Sequence, residues 1–539
     1  MAHQFYTQLQ FLFSSFVSAM ICIGVGGFWI RLFGLAPGLS RLSLHGAFGI
    51  LWVGILSLAF NFFFALGGAH FLFLLSLSIS GWILIARSES WVSVKTEIPR
   101  LLIFIACYWV IGIRRVVQSD TGLYHIPIIH TMHQLPLPLG FGNIHGRFGT
   151  WNFWFSVCGG LSAGDVLPFA TYGMNMVLVA FASIDFRDWL KRRDSRVLGF
   201  ASAIFLYVSM IDTWFFAGGQ KSPDADFAGA VISWWTTGWF LTRHGENKSW
   251  AGPVLILSGL CVLLKLNQLP MGIFAYVVLL RFGVRSNSWY LFSVCSGLFL
   301  LVMKSFWVTG CLLYPVLATR LNVSWAIRSE DILEMYNTIV QWGRWPQGPV
   351  EQVLHSWKWI PHWASSLGGR LIYFFESSVL ILFVAMMIFR SFRKRMDWTA
   401  VMVAFLTLIY WFFTAPDPRF ATGALLMIPS LVFGVLFEQA LISKIGFWIR
   451  RFFLIAGLFF LILFGLGQLR RVDDWGAGTL HEPEPRFIVK KNVLGQQVYV
   501  PIENECWRLP VPCTPYFVPE ITEYNWLLWK KFVDLRAQQ

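Results

Sequence analysis

The chain has 539 residues, 56% hydrophobic and 13% charged, with 28 Trp and 52 Phe and a mean hydropathy of +0.60. A soluble domain is less apolar and about a quarter charged, and the long apolar runs differ from the short alternating strands of a membrane β-barrel. An all-α polytopic membrane protein remains; its net charge of +14 is gathered in short loops, which marks a cytoplasmic face rather than nucleic-acid binding.

The first apolar run lacks the basic start and the small-residue cleavage site of a signal peptide, so it is expected to be retained. Candidate spans follow at 9–34, 46–67, 68–87, 100–117, 166–184, 197–216, 226–242, 251–266, 268–282, 288–309, 371–390, 398–413, 423–441 and 452–469. Several are shorter than the roughly 20 residues of a full crossing, which sets the expectation at about 12–14 transmembrane helices. They make up a multi-pass domain over 1–469 with two polar interruptions at 118–165 and 310–370. Within the first, the short aromatic segment 149–163 reads as a re-entrant or interfacial helix. The second is rich in Trp, with amphipathic patches at 330–342 and 350–366 that suit the headgroup plane.

The tail, 470–539, reads as a small extracytoplasmic module ending in the helical-looking EYNWLLWKKFVDL. Its CWRLPVPC segment spaces Cys506 and Cys513 for a small disulfide loop in an oxidising compartment. Cys22, Cys107, Cys158, Cys261, Cys295 and Cys311 lie in apolar surroundings as small core residues. There is no internal repeat, P-loop or dinucleotide fingerprint.

Basic loops orient the chain. FRDWLKRRDSR (186–196), RSFRKRMD (390–397) and Lys444 with Arg450 and Arg451 are assigned to the cytoplasm. Arg114, Arg115, Arg470 and Arg471 run against that assignment. Strict alternation then puts 118–165, the SPDAD turn (222–226), 310–370, the APDPRF turn (415–420) and the tail together on the other side. Every chemically interesting stretch falls on one face, as expected of an enzyme whose site opens away from the cytoplasm.

The richest stretch is Asp120–Arg147, with four histidines, four glycines and three prolines between apolar segments. Polar, irregular backbone at membrane depth survives only where protein or water surrounds it, and its ionisable groups mark a functional site. Asp120 is a candidate general base or metal ligand, or else a helix N-cap. His125, His130, His133 and His145 could bind metal, but no HExxH or paired cysteines accompany them. Hydrogen bonding to substrate or to Asp120 is the preferred role for these histidines, and His125 and His145 are the candidates to assist Asp120 in catalysis. Arg147 in GNIHGR is a candidate phosphate ligand. Asp417 and Arg419 either meet substrate or form a rigid pair that fixes their turn. Lys265 either contacts a lipid phosphate or snorkels to the headgroups. Asp226, with Asp224, is a substrate contact or a turn residue. Tyr124 and Tyr314 complete the candidate substrate shell, Tyr314 alternatively as a belt aromatic.

The signatures DTGLYH, GNIHGR, SPDAD, the Lys265 segment, GCLLYP, APDPRF and CWRLPVPCTP resemble those of a group of bacterial multi-pass membrane proteins. That group is similar in architecture to GT-C glycosyltransferases, which take sugars from polyprenyl-phosphate donors at the outer face of the membrane. In GT-C enzymes an acidic residue of the first outer loop is catalytic or binds metal, and Asp120 matches it in position and type. Later basic residues hold the donor phosphate, matched by Arg147, Arg419 or Lys265. The chain departs from that pattern in having Thr121 after Asp120 instead of a second acid, and in having three candidate spans before the one leading to Asp120.

The resemblance implies a membrane-embedded glycosyltransferase of the bacterial cytoplasmic membrane with an extracytoplasmic site. Its partners would be membrane lipid, a polyprenyl-phosphate sugar donor and a glycan, lipid or protein acceptor, and its one conceivable cofactor a divalent metal ion. The alternatives are a lipid-linked glycan transporter or flippase, or a structural subunit of a membrane complex.

Overall fold

Small residues decide how the first three helices meet. In the computed structural model α1 (Ala2–Leu32), α2 (Leu42–Asn61) and α3 (Gly68–Ala86) pack backbone against backbone. A methyl group at Gly49 would lie 1.7 Å from the Cys22 carbonyl oxygen, one at Gly26 1.9 Å from that of His45, and one at Gly81 1.7 Å from that of Gly24. Helices in lipid gain little from hydrophobic exclusion, so such close approach supplies the van der Waals contact that holds them. The residues described are 2–35, 41–88, 90–112, 118–162, 166–192, 198–199, 201–203, 205–206, 219–242, 250–284, 287–366, 398–427, 429–431, 482–526 and 529–538.

The chain continues as α4 (Ser90–Gly112), α5 (Ile126–Gln134), the short α6 (Gly146–Gly149), α7 (Phe153–Ser162), α8 (Ala170–Lys191), α9 (Ala225–Leu241), α10 (Ala251–Leu264), α11 (Gly272–Phe282) and α12 (Ser288–Thr309). Then come α13 (Ser329–Arg344), α14 (Val350–Leu354), α15 (Trp359–Ser365) and α16 (Trp398–Thr414). The protein is thus mostly helical. Among the described residues four helices are long and apolar enough to cross a membrane: Tyr6–Leu32, Leu42–Asn61, Gly68–Ala86 and Ser288–Thr309. α2 is 89% buried over its apolar window, whereas α3 and α12 are 28% buried, so α2 is central and the other two turn apolar flanks outward. Cys107 and Cys295 are exposed, unlike the core positions expected of them; Cys22, Cys158, Cys261 and Cys311 are buried. The candidate spans at 371–390 and 452–469, most of 197–216 and 423–441, the basic clusters after 390 and the 469/470 boundary lie outside the described residues.

In segment 149–163, expected to be a re-entrant or interfacial helix, every residue of α7 is buried, because Gly54 of α2 leaves room for the ring of Phe153 and Gly160 for Ser57. The chain end is not helical. β3 (Ile521–Trp526) and β4 (Trp529–Asp534) form an antiparallel hairpin, as do β1 (Phe487–Lys491) and β2 (Gln497–Pro501). The backbone of β4 pairs with Leu139 of the central loop, Phe532 N–H donating to Leu139 O at 2.8 Å and Leu139 N–H to Lys530 O at 3.1 Å. That pairing favours strand over helix for a segment whose apolar spacing suits either.

One end of the bundle carries the central loop, the SPDAD and APDPRF turns and the C-terminal module. The opposite end carries Arg41, which pairs with Asp185 at 2.7 Å and also with Asp188. Asp185 is completely buried and also accepts from the indoles of Trp235 and Trp239, at 2.8 and 2.9 Å. This buried pair is fully hydrogen-bonded, as buried charge requires, and it ties α8 and α9 to the start of α2.

Candidate functional site

Asp120 opens a single π-helical turn, Thr121–His125, that runs into α5. It occupies the N-cap position, but its side chain caps no backbone N–H. Its carboxylate instead faces the Arg419 guanidinium at 3.6 Å. Arg419 is clasped by Asp417, Nε donating to Oδ1 at 3.1 Å and the terminal nitrogen to Oδ2 at 3.0 Å. Asp417 also accepts the Arg419 N–H at 3.0 Å, so the rigid pair foreseen in the APDPRF turn is present and presents one guanidinium nitrogen to Asp120. Burial opposes the charge on Arg419, but Asp417, Asp226 and Asp120 outweigh it and raise its pKa.

The SPDAD turn meets the same loop. Asp224 is the N-cap of α9 and accepts the Asp226 N–H at 2.8 Å. It also accepts from Gln118 at 3.1 Å. Asn175 of α8 donates to the carbonyls of Gly219, Ser222 and Asp224 at 3.0, 2.9 and 3.2 Å, which fixes the turn to the bundle. Ser222 then reaches Thr121 at 2.7 Å and His125 Nδ1 at 3.1 Å. Asp226 pairs with Lys265, whose ammonium lies over the Phe420 ring at 4.4 Å. Burial, then Asp226, push the Asp224 carboxyl up to about 7. Burial, with Lys265, Arg419 and Arg147 against Asp120, pushes His125 down to about 3, so it is a neutral, pinned imidazole. Burial, then Asp120, push the Tyr124 phenol well above its usual range.

Arg147 differs from the other cations of the site. Its guanidinium lies over the Tyr124 ring at 5.8 Å, and no carboxylate among the described residues pairs with it. Beyond it the remaining predicted residues diverge. Tyr314 packs against Gly146 and Gly149, and its buried hydroxyl has no hydrogen-bond partner among the described residues. His145 stacks on Tyr516 of the C-terminal module at 5.1 Å and, pushed down to about 3 by burial and then Arg147, is neutral. Asp120, Tyr124, His125, Arg147, Asp226, Lys265, Asp417 and Arg419 therefore form one connected group, and His145 and Tyr314 flank it on the Arg147 side. Cys506 and Cys513 form a disulfide.

The donors do not assemble a metal site: among the described residues no three of His, Cys, Asp and Glu group closely enough to hold an ion. Asp120 has the Arg419 guanidinium as its charged neighbour. Charge is balanced rather than basic, because Lys265 and Arg419 already face carboxylates. Asp120 is more accessible than Asp417 or Asp226, with a side chain 22% exposed against 13% for Asp417 and 7% for Asp226.

Sequence reasoning passed over Gln118, Asn175 and Ser222, which hold the turn. Asn175 had a usable signal, an amide in the middle of an apolar run. Lys304 had the same one; it is 3% exposed and donates to the Trp151 carbonyl. A small cavity lined by Gln496, Thr514, Phe517 and Phe532 of the C-terminal module and by Ile144 of the central loop contains no residue of the Asp120 group.

A family model described as a domain of unknown function, DUF8201, matches residues 9–426. The whole Asp120 group falls within that stretch, and the C-terminal module lies beyond it. No curated protein and no solved structure matches the chain.

Proposed function

This chain belongs to the DUF8201 family, and we propose that it is a membrane-embedded glycosyltransferase of GT-C-like architecture that uses a polyprenyl-phosphate-linked sugar at the extracytoplasmic face. The observation that carries the reading is the convergence of Asp120, Arg147, Asp226, Lys265 and Arg419, far apart in the chain, with Asp120 more accessible than Asp226 or Asp417. In the reaction an acceptor hydroxyl attacks the anomeric carbon, the bond from that carbon to the lipid phosphate breaks, and the hydroxyl proton passes to Asp120. Arg419 orients the Asp120 carboxylate. Arg147, the cation that no described carboxylate pairs with, stabilises the departing lipid phosphate. His125 holds the turn and does not meet substrate.

A second reading is favoured by the ion pairs themselves: the network locks loops together in a structural subunit. Asp120→Asn in the native host separates the two, with surface glycans and lipid-linked sugars read by mass spectrometry and the protein quantified in membranes. Loss of a glycan with accumulation of its lipid-linked donor, at normal protein level, is the result expected of the transferase. Normal glycans at normal protein level would end that reading, and loss of the protein itself would favour the lock.

A further inference from the structure

We propose that the loop closed by Cys506–Cys513 is the seat of the Asp120-bearing turn, with Trp507 as a positioning residue. The contact is direct. Gly122, two residues after Asp120, accepts the Trp507 N–H at 3.0 Å. A methyl group at Gly122 would lie 2.4 Å from the indole Cε2 and Nε1 and 2.6 Å from Glu505 Oε2, so only glycine leaves room for the ring. The indole N–H donates to Glu505 at 2.8 Å. Trp507, 6% exposed, packs with Phe11, Ile126 and Tyr172.

Trp507 adopts a φ of 45°, a left-handed conformation that a bulky residue keeps only where its surroundings impose it. Here both sides impose it. The preceding Cys506 is bonded to Cys513, and the segment around Cys513 pairs with Tyr499 of β2, which donates to Pro512 O and accepts from Thr514 N–H, both at 3.0 Å. The following Arg508 pairs with Glu482 at 2.6 Å, and Glu482 accepts from Tyr172 of α8 at 2.6 Å. Trp507 is thus carried by a loop anchored to a hairpin on one side and to a bundle helix on the other. Opposite it, Ser222 holds Thr121 and His125. The π-turn is a single-turn insertion of the kind found within helices; it continues into α5 and is held laterally by these two neighbours.

Hydrogen exchange on the full-length protein in lipid nanodiscs tests the seat without reference to activity. Gly122→Ala, Trp507→Gly and the pair Cys506→Ser with Cys513→Ser are compared with wild type. In each, amides of 120–126 are expected to exchange at least about tenfold faster, as for a locally unfastened segment, while α9 keeps its wild-type rate. Trp507→Phe, which retains a ring, is expected to restore most of the protection. If the cysteine pair also loosens β3–β4, Gly122→Ala becomes the deciding variant, because it leaves every residue of the module in place. Wild-type protection at 120–126 in Gly122→Ala and Trp507→Gly would overturn the proposal. The mechanism ascribed to Asp120 rests on the transferase reading, but this readout does not: faster exchange with unchanged glycans would keep the seat and sink the transferase.

Discussion

At the scale of single residues, burial rather than residue type sets the behaviour of the titratable groups. His125 and His145 are both pushed from 6.5 down to about 3 because the charged ring would be desolvated. A base whose folded pKa is lowered contributes its full stability above the unfolded value, and loses it as pH falls through 6.5 towards 3. One unit below 6.5 the loss is about 1.4 kcal/mol per histidine. Asp224, raised to about 7, acts in the opposite sense, since its ionisation costs stability as pH rises. The thermal midpoint of the purified protein is therefore expected to drop more between pH 7 and 5.5 than that of His125→Gln combined with His145→Gln. Equal drops would show that the two rings are not held neutral. Residue identity was readable in advance here; partners were not. The Asp417–Arg419 pair was one of two readings open for its turn, whereas nothing in the sequence pointed to Asp226 as the partner of Lys265 or to Asp120 as a second partner of Arg419.

Among the elements, α1, α2 and α3 show how much depends on hydrogen-sized side chains. The Cβ of an alanine at Gly49 or Gly81 would meet backbone oxygen at 1.7 Å, and backbone cannot swing aside as a side chain can. Overpacking of that kind costs about 1–3 kcal/mol. Gly49→Ala and Gly81→Ala are expected to lower the thermal midpoint by several degrees. Gly68→Ala, where nothing lies within 4 Å, is expected to match wild type. A neutral Gly49→Ala would mean that α1 and α2 sit further apart. Helix positions were largely legible, since long apolar runs permit little else. The chain end was not: EYNWLLWKKFVDL has apolar spacing compatible with either helix or strand, and the choice was made by Leu139, 393 positions before Phe532 and the acceptor of its N–H.

For the whole molecule the question is which way round it sits. The Arg41–Asp185–Asp188 cluster and the Asp120 group occupy opposite ends of the bundle, and the orientation proposed from the positive-inside rule has the first facing the cytoplasm. A cysteine at Lys491, exposed in β1, is expected to react with a membrane-impermeant maleimide in intact cells. One at Arg187, near the end of α8, is expected to react only after permeabilisation. The reverse pattern would put the Asp120 end in the cytoplasm and exclude an extracytoplasmic donor.

Composition and hydropathy determined by themselves that the chain is helical and carries apolar helices fit for a membrane, because burying 56% hydrophobic residues leaves few other arrangements. They also located the polar stretches, since titratable groups among apolar runs are too costly to be incidental. Tertiary structure alone decided the pairings: Asp120 with Arg419, Ser222 with His125, Trp507 with Gly122. Each joins segments roughly a hundred or more positions apart, and hydropathy, which is read within a window of about one span, has no range to see them.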